Sequence, residues 1–258
     1  MKMTAWCAGV VLFAAAVPCF GAGQSWDGTW KLNEAKSKFT GETLVIEDKG
    51  NGMMHYMSGN IAFDFACDGK PYTVIADRTF ACTGSVAGGY DYVFKGGDTV
   101  LTKSHRMFSA DGKTMTVHGM DIRPDGSTQD FTDVWKRESG TSGLAGKWMN
   151  VKSQGASDTV VIETKGDWIK MYSPQEKTTI EGKMDGSNLA VKGPNLPPGF
   201  SQSLKPEAPN KLHYLVKYND EVLSEGTQTL STDGKTYVDE NWSPGKLDEK
   251  STAVYERQ

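Results

Sequence analysis

The chain repeats itself once at whole-domain length. Gly28-Thr29-Trp30-Lys31 returns as Gly146-Lys147-Trp148-Met149, and Glu42-Thr43-Leu44-Val45-Ile46-Glu47 returns as Asp158-Thr159-Val160-Val161-Ile162-Glu163. The longest match runs without a gap from Val100 to Thr114 against Val222 to Thr236, and Val134-Trp135-Lys136-Arg137 returns as Val254-Tyr255-Glu256-Arg257. Four segments in one order at an offset of about 118 residues mark a duplicated domain, because solenoid repeats are far shorter, roughly 20–45 residues. Two domains follow, 25–138 and 144–258. The stretch Glu138-Ser139-Gly140-Thr141-Ser142-Gly143 between them has the composition of a short flexible linker. A single double-length barrel built from fused halves is the alternative.

Each copy reads as short strands broken by turns. Thr43 to Glu47 and Thr159 to Glu163 are rich in β-branched residues, and 29 glycines, many in Asp-Gly, Asn-Gly or Gly-Gly pairs, supply tight turns. Asp111-Gly112 and Asp233-Gly234 are expected to form type I′ hairpin turns. Eight to ten strands in each copy predict an all-β protein of two tandem antiparallel barrels. An immunoglobulin-like sandwich is the rival, and the close spacing of Cys67 and Cys82 argues against it. Charged residues make up 23% of the chain and the net charge is −4, which excludes a broad basic surface for nucleic acid or anionic lipid.

Residues 1–23 read as a signal peptide. Lys2 gives a positive start, and Ala5 to Val17 is an apolar run too short to span a membrane as a helix. Cleavage after Gly21 or Gly23 suits the small-residue requirement better than a cut after Ala22; a lipoprotein signal through Cys19 is disfavoured by Pro18 before it. The expected location is periplasmic or extracellular. Cys67 and Cys82 then remain in an oxidising compartment and are expected to form one disulfide joining neighbouring strands. A loop of this length corresponds to about 3 kcal/mol in the chain-entropy picture.

Gly28-x-Trp30 and Gly146-x-Trp148 open the copies, and Arg137 and Arg257 close them. In this the chain resembles the lipocalin and fatty-acid-binding barrels. The wider wording from Gly28 to Phe39, with Asp111-Gly112-Lys113-Thr114, is similar to a group of uncharacterised secreted bacterial lipocalin-like (calycin-type) proteins. The resemblance implies that a tryptophan plugs the closed end of each barrel under an arginine of the last strand, Trp30 with Arg137 and Trp148 with Arg257. The Arg-x-Tyr clamp with which fatty-acid-binding barrels hold a carboxylate is absent, since Ala253 precedes Tyr255 by two and Asp133 precedes Trp135 by two.

Counting outward from Asp111-Gly112 sets His105 opposite His118, with Arg106, Phe108, Met115 and Val117 on the other, more apolar face. A metal on the histidines, with His55 or Asp121 as third ligand, is weighed against a solvated histidine face, and the solvated face is preferred; no metal or cofactor is assigned. An interior Arg106 needs an anionic partner, either a ligand head group or a structural carboxylate such as Asp64. The candidate ligand-binding residues are Arg106, Phe63, Phe65, Tyr90, Tyr92 and Phe108. Copy two has neither the cysteine pair nor the histidine pair, and Gln228 stands at the position of Arg106. Leu196-Pro197-Pro198-Gly199-Phe200 carries two apolar side chains on a proline-rich loop, a lid, a docking segment for a protein partner or a rigid connector.

No nucleophile elbow, zinc motif or phosphate loop is present, and no catalytic residue is assigned. The favoured function is a secreted binding protein for a small apolar or amphipathic ligand. An envelope interaction or structural protein ranks second, and an enzyme at the mouth of the first barrel, using His105, His118 or Arg106, ranks third.

Overall fold

The structure is a computed structural model and describes residues 25–39, 41–140 and 142–258. The leader assigned to 1–23, with Cys19, lies outside the described residues. Those residues form two nearly closed barrels, each of ten antiparallel strands. The sandwich and the double-length barrel are not formed.

In chain order the first copy gives β1 (Gly28–Leu32), β2 (Thr43–Gly50), β3 (Met53–Ser58), β4 (Ile61–Ala66), β5 (Pro71–Ile75), β6 (Arg78–Ser85), β7 (Gly89–Gly96), β8 (Thr99–Phe108), β9 (Thr114–Ile122) and β10 (Thr128–Ser139). The second gives β11 (Gly146–Gln154), β12 (Thr159–Lys165), β13 (Trp168–Ser173), β14 (Thr178–Lys183), β15 (Asn188–Ala190), β16 (Phe200–Ala208), β17 (Lys211–Tyr218), β18 (Glu221–Leu230), β19 (Thr236–Trp242) and β20 (Ser251–Arg257).

The first strands are exchanged. Barrel one runs β4-β3-β2-β11-β10-β9-β8-β7-β6-β5, and barrel two runs β14-β13-β12-β1-β20-β19-β18-β17-β16-β15. The boundaries 25–138 and 144–258 therefore do not coincide with the barrels, because each copy lends its opening strand to the other. The supposed linker explains why. Glu138 and Ser139 do not hang between two finished domains; β10 runs on to Ser139 and pairs with β11, Arg137 with Trp148 and Ser139 with Lys147. A connection this short favours pairing of consecutive strands. Strand β11 thus fills the place beside β10, and β1 takes the equivalent place between β12 and β20.

The tryptophan and arginine plugs follow the strands, so the expected partners are also exchanged. The Arg137 guanidinium lies 3.9 Å from the Trp148 ring centre and that of Arg257 lies 4.3 Å from Trp30. Both tryptophans are fully buried. Arg137 donates to the carbonyls of Gly112, Ala145 and Gly143 at 2.6–2.7 Å, which fixes the turn between the copies. Arg257 repeats this with the carbonyls of Gly234, Asp27 and Ser25. The glycine of each Gly-x-Trp is required by the close approach: a Cβ on Gly28 would lie 2.8 Å from Nη1 of Arg257, and one on Gly146 would lie 2.3 Å from the Ser139 carbonyl oxygen. Their φ values, +139° and +143°, exclude most side chains as well.

Each barrel has one seam where its end strands meet without a continuous ladder, β4 against β5 and β14 against β15. In barrel one the Cys67–Cys82 disulfide crosses it, from just beyond β4 to the middle of β6. The bond forms as expected, and it spans the seam instead of joining two paired strands. In barrel two Thr179 and Lys192 exchange two backbone hydrogen bonds of 2.8 and 2.9 Å near the same place.

One local expectation is corrected. Neither Asp111 nor Asp233 has positive φ, so the Asp-Gly turns are not type I′. Gly112 N donates to Ser109 O and Gly234 N to Ser231 O, and only the glycines, both at +66°, are left-handed. The aspartate side chains make this form stable: Asp111 accepts from Ser109 Oγ and Lys113 N, and Asp233 from Ser231 Oγ and Lys235 N. The register across the hairpin survives, with His105 opposite His118 and Arg106 opposite Val117.

Candidate functional site: the cavity of barrel one

Alternation along the strands of barrel one turns Tyr56, Ile61, Phe63, Phe80, Tyr92, Ser104, Arg106, Val117, Asp133 and Trp135 toward the interior, where they line a cavity of about 370 Å³. That is within the range of small-ligand sites, roughly 300–1,000 Å³. Its aromatic wall is tightly built. Phe80 meets Tyr92 edge-on at 4.5 Å and Phe63 at 5.3 Å, and Tyr56 stacks on Phe63 at 4.9 Å. Such pairs hold ring orientation as well as burying area, so the wall is shaped before anything enters.

Arg106 projects into this space with its guanidinium 4.1 Å from the Tyr92 ring centre. Its Nε and Nη1 are buried and have no hydrogen-bond partner, and neither has the buried Tyr92 hydroxyl. Asp64, the structural partner expected for Arg106, sits on the outer face and contacts His55 Nδ1 at 2.5 Å. Asp133 lines the cavity, and Glu42 stands with it in an adjoining cleft. Asp133 accepts from Ser153 Oγ at 2.7 Å and Glu42 from Ser58 Oγ at 2.6 Å. Loss of solvent pushes the Asp133 carboxyl above the ordinary carboxylate range; the Ser153 hydrogen bond and the positive charge of Arg106 oppose that rise without cancelling it. Burial likewise raises the Tyr92 and Tyr56 hydroxyls, which therefore remain neutral donors at physiological pH.

Of the six ligand residues expected from sequence, Arg106, Phe63 and Tyr92 line the cavity together. Phe65 is completely buried behind them in the core. Tyr90 and Phe108 pack toward the closed end, where Phe108 lies 5.7 Å from Trp148. They plug the barrel and do not line the cavity. Asp133, Trp135, Tyr56 and Phe80 were not among the six. Strand β10 carried the missing signal, since Phe131, Asp133 and Trp135 alternate on one face.

His105 and His118 are cross-strand neighbours on the outside of the barrel. Each is held from its own side, His105 Nδ1 by Asp91 at 2.8 Å and His118 Nδ1 by Thr132 Oγ1 at 3.1 Å. The histidines and Arg106 therefore lie on opposite faces of the sheet and do not form one site. Among the described residues no three potential metal ligands converge, and no helix is long and apolar enough to cross a membrane.

The mouth of barrel one faces barrel two. The crossover segments 33–39 and 155–158, which follow the exchanged strands, bring Phe39 and Gly155 to Asp158 between the barrels. A second chamber there shares Thr102, Phe131 and Asp133 with the cavity and is lined from the other side by Asp158, Ala253 and Tyr255. The Leu196–Phe200 loop also turns this way: Leu196 and Phe200 are half-buried in a cleft with Ile75, Arg78 and Phe94 of barrel one. Its apolar side chains face the neighbouring barrel.

The chain was compared with protein-family models, with curated proteins and with solved structures, and it matches none of them. Fold and cavity geometry thus define its class, a tandem β-barrel protein with an aromatic cavity in the first barrel.

Proposed function

We propose that this chain is an exported binding protein that holds a small apolar or amphipathic molecule in the cavity of barrel one. One observation carries the reading: a preshaped aromatic cavity of about 370 Å³ also contains buried donors that nothing in the protein satisfies. The Gly-x-Trp plugs and the ten-stranded form support a lipocalin-like relationship, and the Cys67–Cys82 bond supports a periplasmic or extracellular location.

The test is a titration of the full mature chain with the neutral fluorophore N-phenyl-1-naphthylamine. Wild type is expected to bind one equivalent, and Val117→Trp, which fills the cavity from β9, to lose it. Absence of binding to wild type, or unchanged binding to Val117→Trp, overturns the proposal.

A further inference from the structure

The two barrels solve the same interior position differently. In barrel two Tyr214, Gln228 and Asp239 stand where barrel one has Tyr92, Arg106 and Val117, by the gapless match of β8–β9 with β18–β19. The Asp239 carboxylate accepts from the Tyr214 hydroxyl through Oδ1 and from Gln228 Nε2 through Oδ2, both at 2.8 Å. Gly226 makes room for this: a Cβ there would lie 2.4 Å from Tyr214 Cζ, and barrel one has Ser104 at that place. Barrel two thus carries its own acceptor between the two donors.

Barrel one keeps the donors and lacks the acceptor. Tyr92 is 4% exposed and its hydroxyl is unpartnered, as are Nε and Nη1 of Arg106. Val117 occupies the position of Asp239 and offers no oxygen. Among the described residues no carboxylate forms an ion pair with Arg106 within 4.0 Å, and those nearest the cavity, Asp133 and Glu42, are engaged by serines. A buried charge and a buried hydroxyl left in this state are costly unless an anion completes them.

We propose that the ligand of barrel one is a compact organic monoanion, a carboxylate or sulfonate, whose charged end accepts from Arg106 and Tyr92 as Asp239 does in barrel two. This deepens the binding reading above and rests on it. Its apolar body lies among Phe63, Phe80 and Trp135. The cavity has the volume of about a dozen water molecules at roughly 30 Å³ each, which suits a fused-ring or branched body. Arg106 is the one cation among the residues lining the cavity, and Asp133 lines it too, so a second negative charge on the ligand finds no partner there.

The experiment is calorimetric titration of the full mature chain at pH 8 with 2-naphthoate, the neutral 2-naphthalenemethanol and the dianionic 2-naphthyl phosphate. Naphthoate is expected to bind at least tenfold more tightly than either of the others. In Arg106→Gln, which installs the residue of barrel two, the ratio of naphthoate to naphthalenemethanol affinity is expected to fall to near one. In Val117→Asp, which supplies the acceptor from the protein, naphthoate affinity is expected to fall at least tenfold. The second variant keeps the test decisive if the first does not fold. Equal binding of naphthoate and the alcohol by wild type overturns the inference and leaves the cavity reading standing, as does phosphate binding as tight as naphthoate. Binding of none of the three overturns both.

Discussion

Barrels one and two share strand order, plugs and hairpin register, and they differ in how each satisfies its own interior. Barrel two closes its seam with backbone hydrogen bonds and joins its buried tyrosine, glutamine and aspartate to one another. Barrel one closes its seam with a disulfide and leaves an arginine and a tyrosine hydroxyl facing a cavity. Gene duplication fixes architecture because the plugs and turns are needed twice. The interior of one copy is then free to pair its buried polar groups, Gln228 Oε1 excepted, and that of the other to leave them facing a cavity.

The largest expected effect breaks the comparison at the seam. Replacing both Cys67 and Cys82 with alanine should cost about 3 kcal/mol, from the 15-residue separation of the bonded pair. The loss should fall on barrel one. Hydrogen exchange by mass spectrometry should show faster exchange in β5–β9 than in β16–β19, and equal acceleration in both would contradict the seam assignment.

A smaller effect tests the strand exchange. A double-mutant cycle between Trp30 and Arg257 should return a coupling of about 0.5–2 kcal/mol, the range for a guanidinium over an indole face. The cycle between Trp30 and Arg137 should return none. The opposite ranking would place each opening strand in its own copy.

The smallest effect is a pH dependence carried by Asp239 of barrel two. Burial raises the Asp239 carboxyl above its ordinary 3.8, despite the hydrogen bonds from Gln228 and Tyr214 that oppose the rise. Between 3.8 and the raised value the native protein holds a proton that the unfolded chain has released. This contribution therefore favours the fold at low pH and is lost as pH rises through the raised value. Urea midpoints of Asp239→Asn should gain on those of wild type between pH 4 and pH 7. A difference independent of pH would count against a raised Asp239.

Much of this was legible in the sequence because it depends on local pattern. The Asp-Gly hairpin fixed the facing of Arg106 and the histidines, and the spacing of Cys67 and Cys82, in a chain expected to be exported, implied their bond. The strand exchange was hidden for a chemical reason: Gly28-x-Trp30 and Gly146-x-Trp148 are equivalent, so either strand satisfies either arginine. Only the short turn from Ser139 to Gly146 discriminates, and its composition resembles a flexible linker. Asp133 stands where the Arg-x-Tyr pattern would have its arginine, which obscures its place on the cavity wall. The missing acceptor emerges only when Val117 is set against Asp239 with both barrels folded.

The central claim is that barrel one has a ligand site and barrel two has filled its own. Its most direct test is the stoichiometry of 2-naphthoate binding to wild type and to the triple variant Ser104→Gly/Arg106→Gln/Val117→Asp, which transplants the interior of barrel two into barrel one. One equivalent for wild type and none for the variant, with the variant still folded by circular dichroism, is the predicted result. Two equivalents for wild type, or one retained by the folded variant, would contradict it.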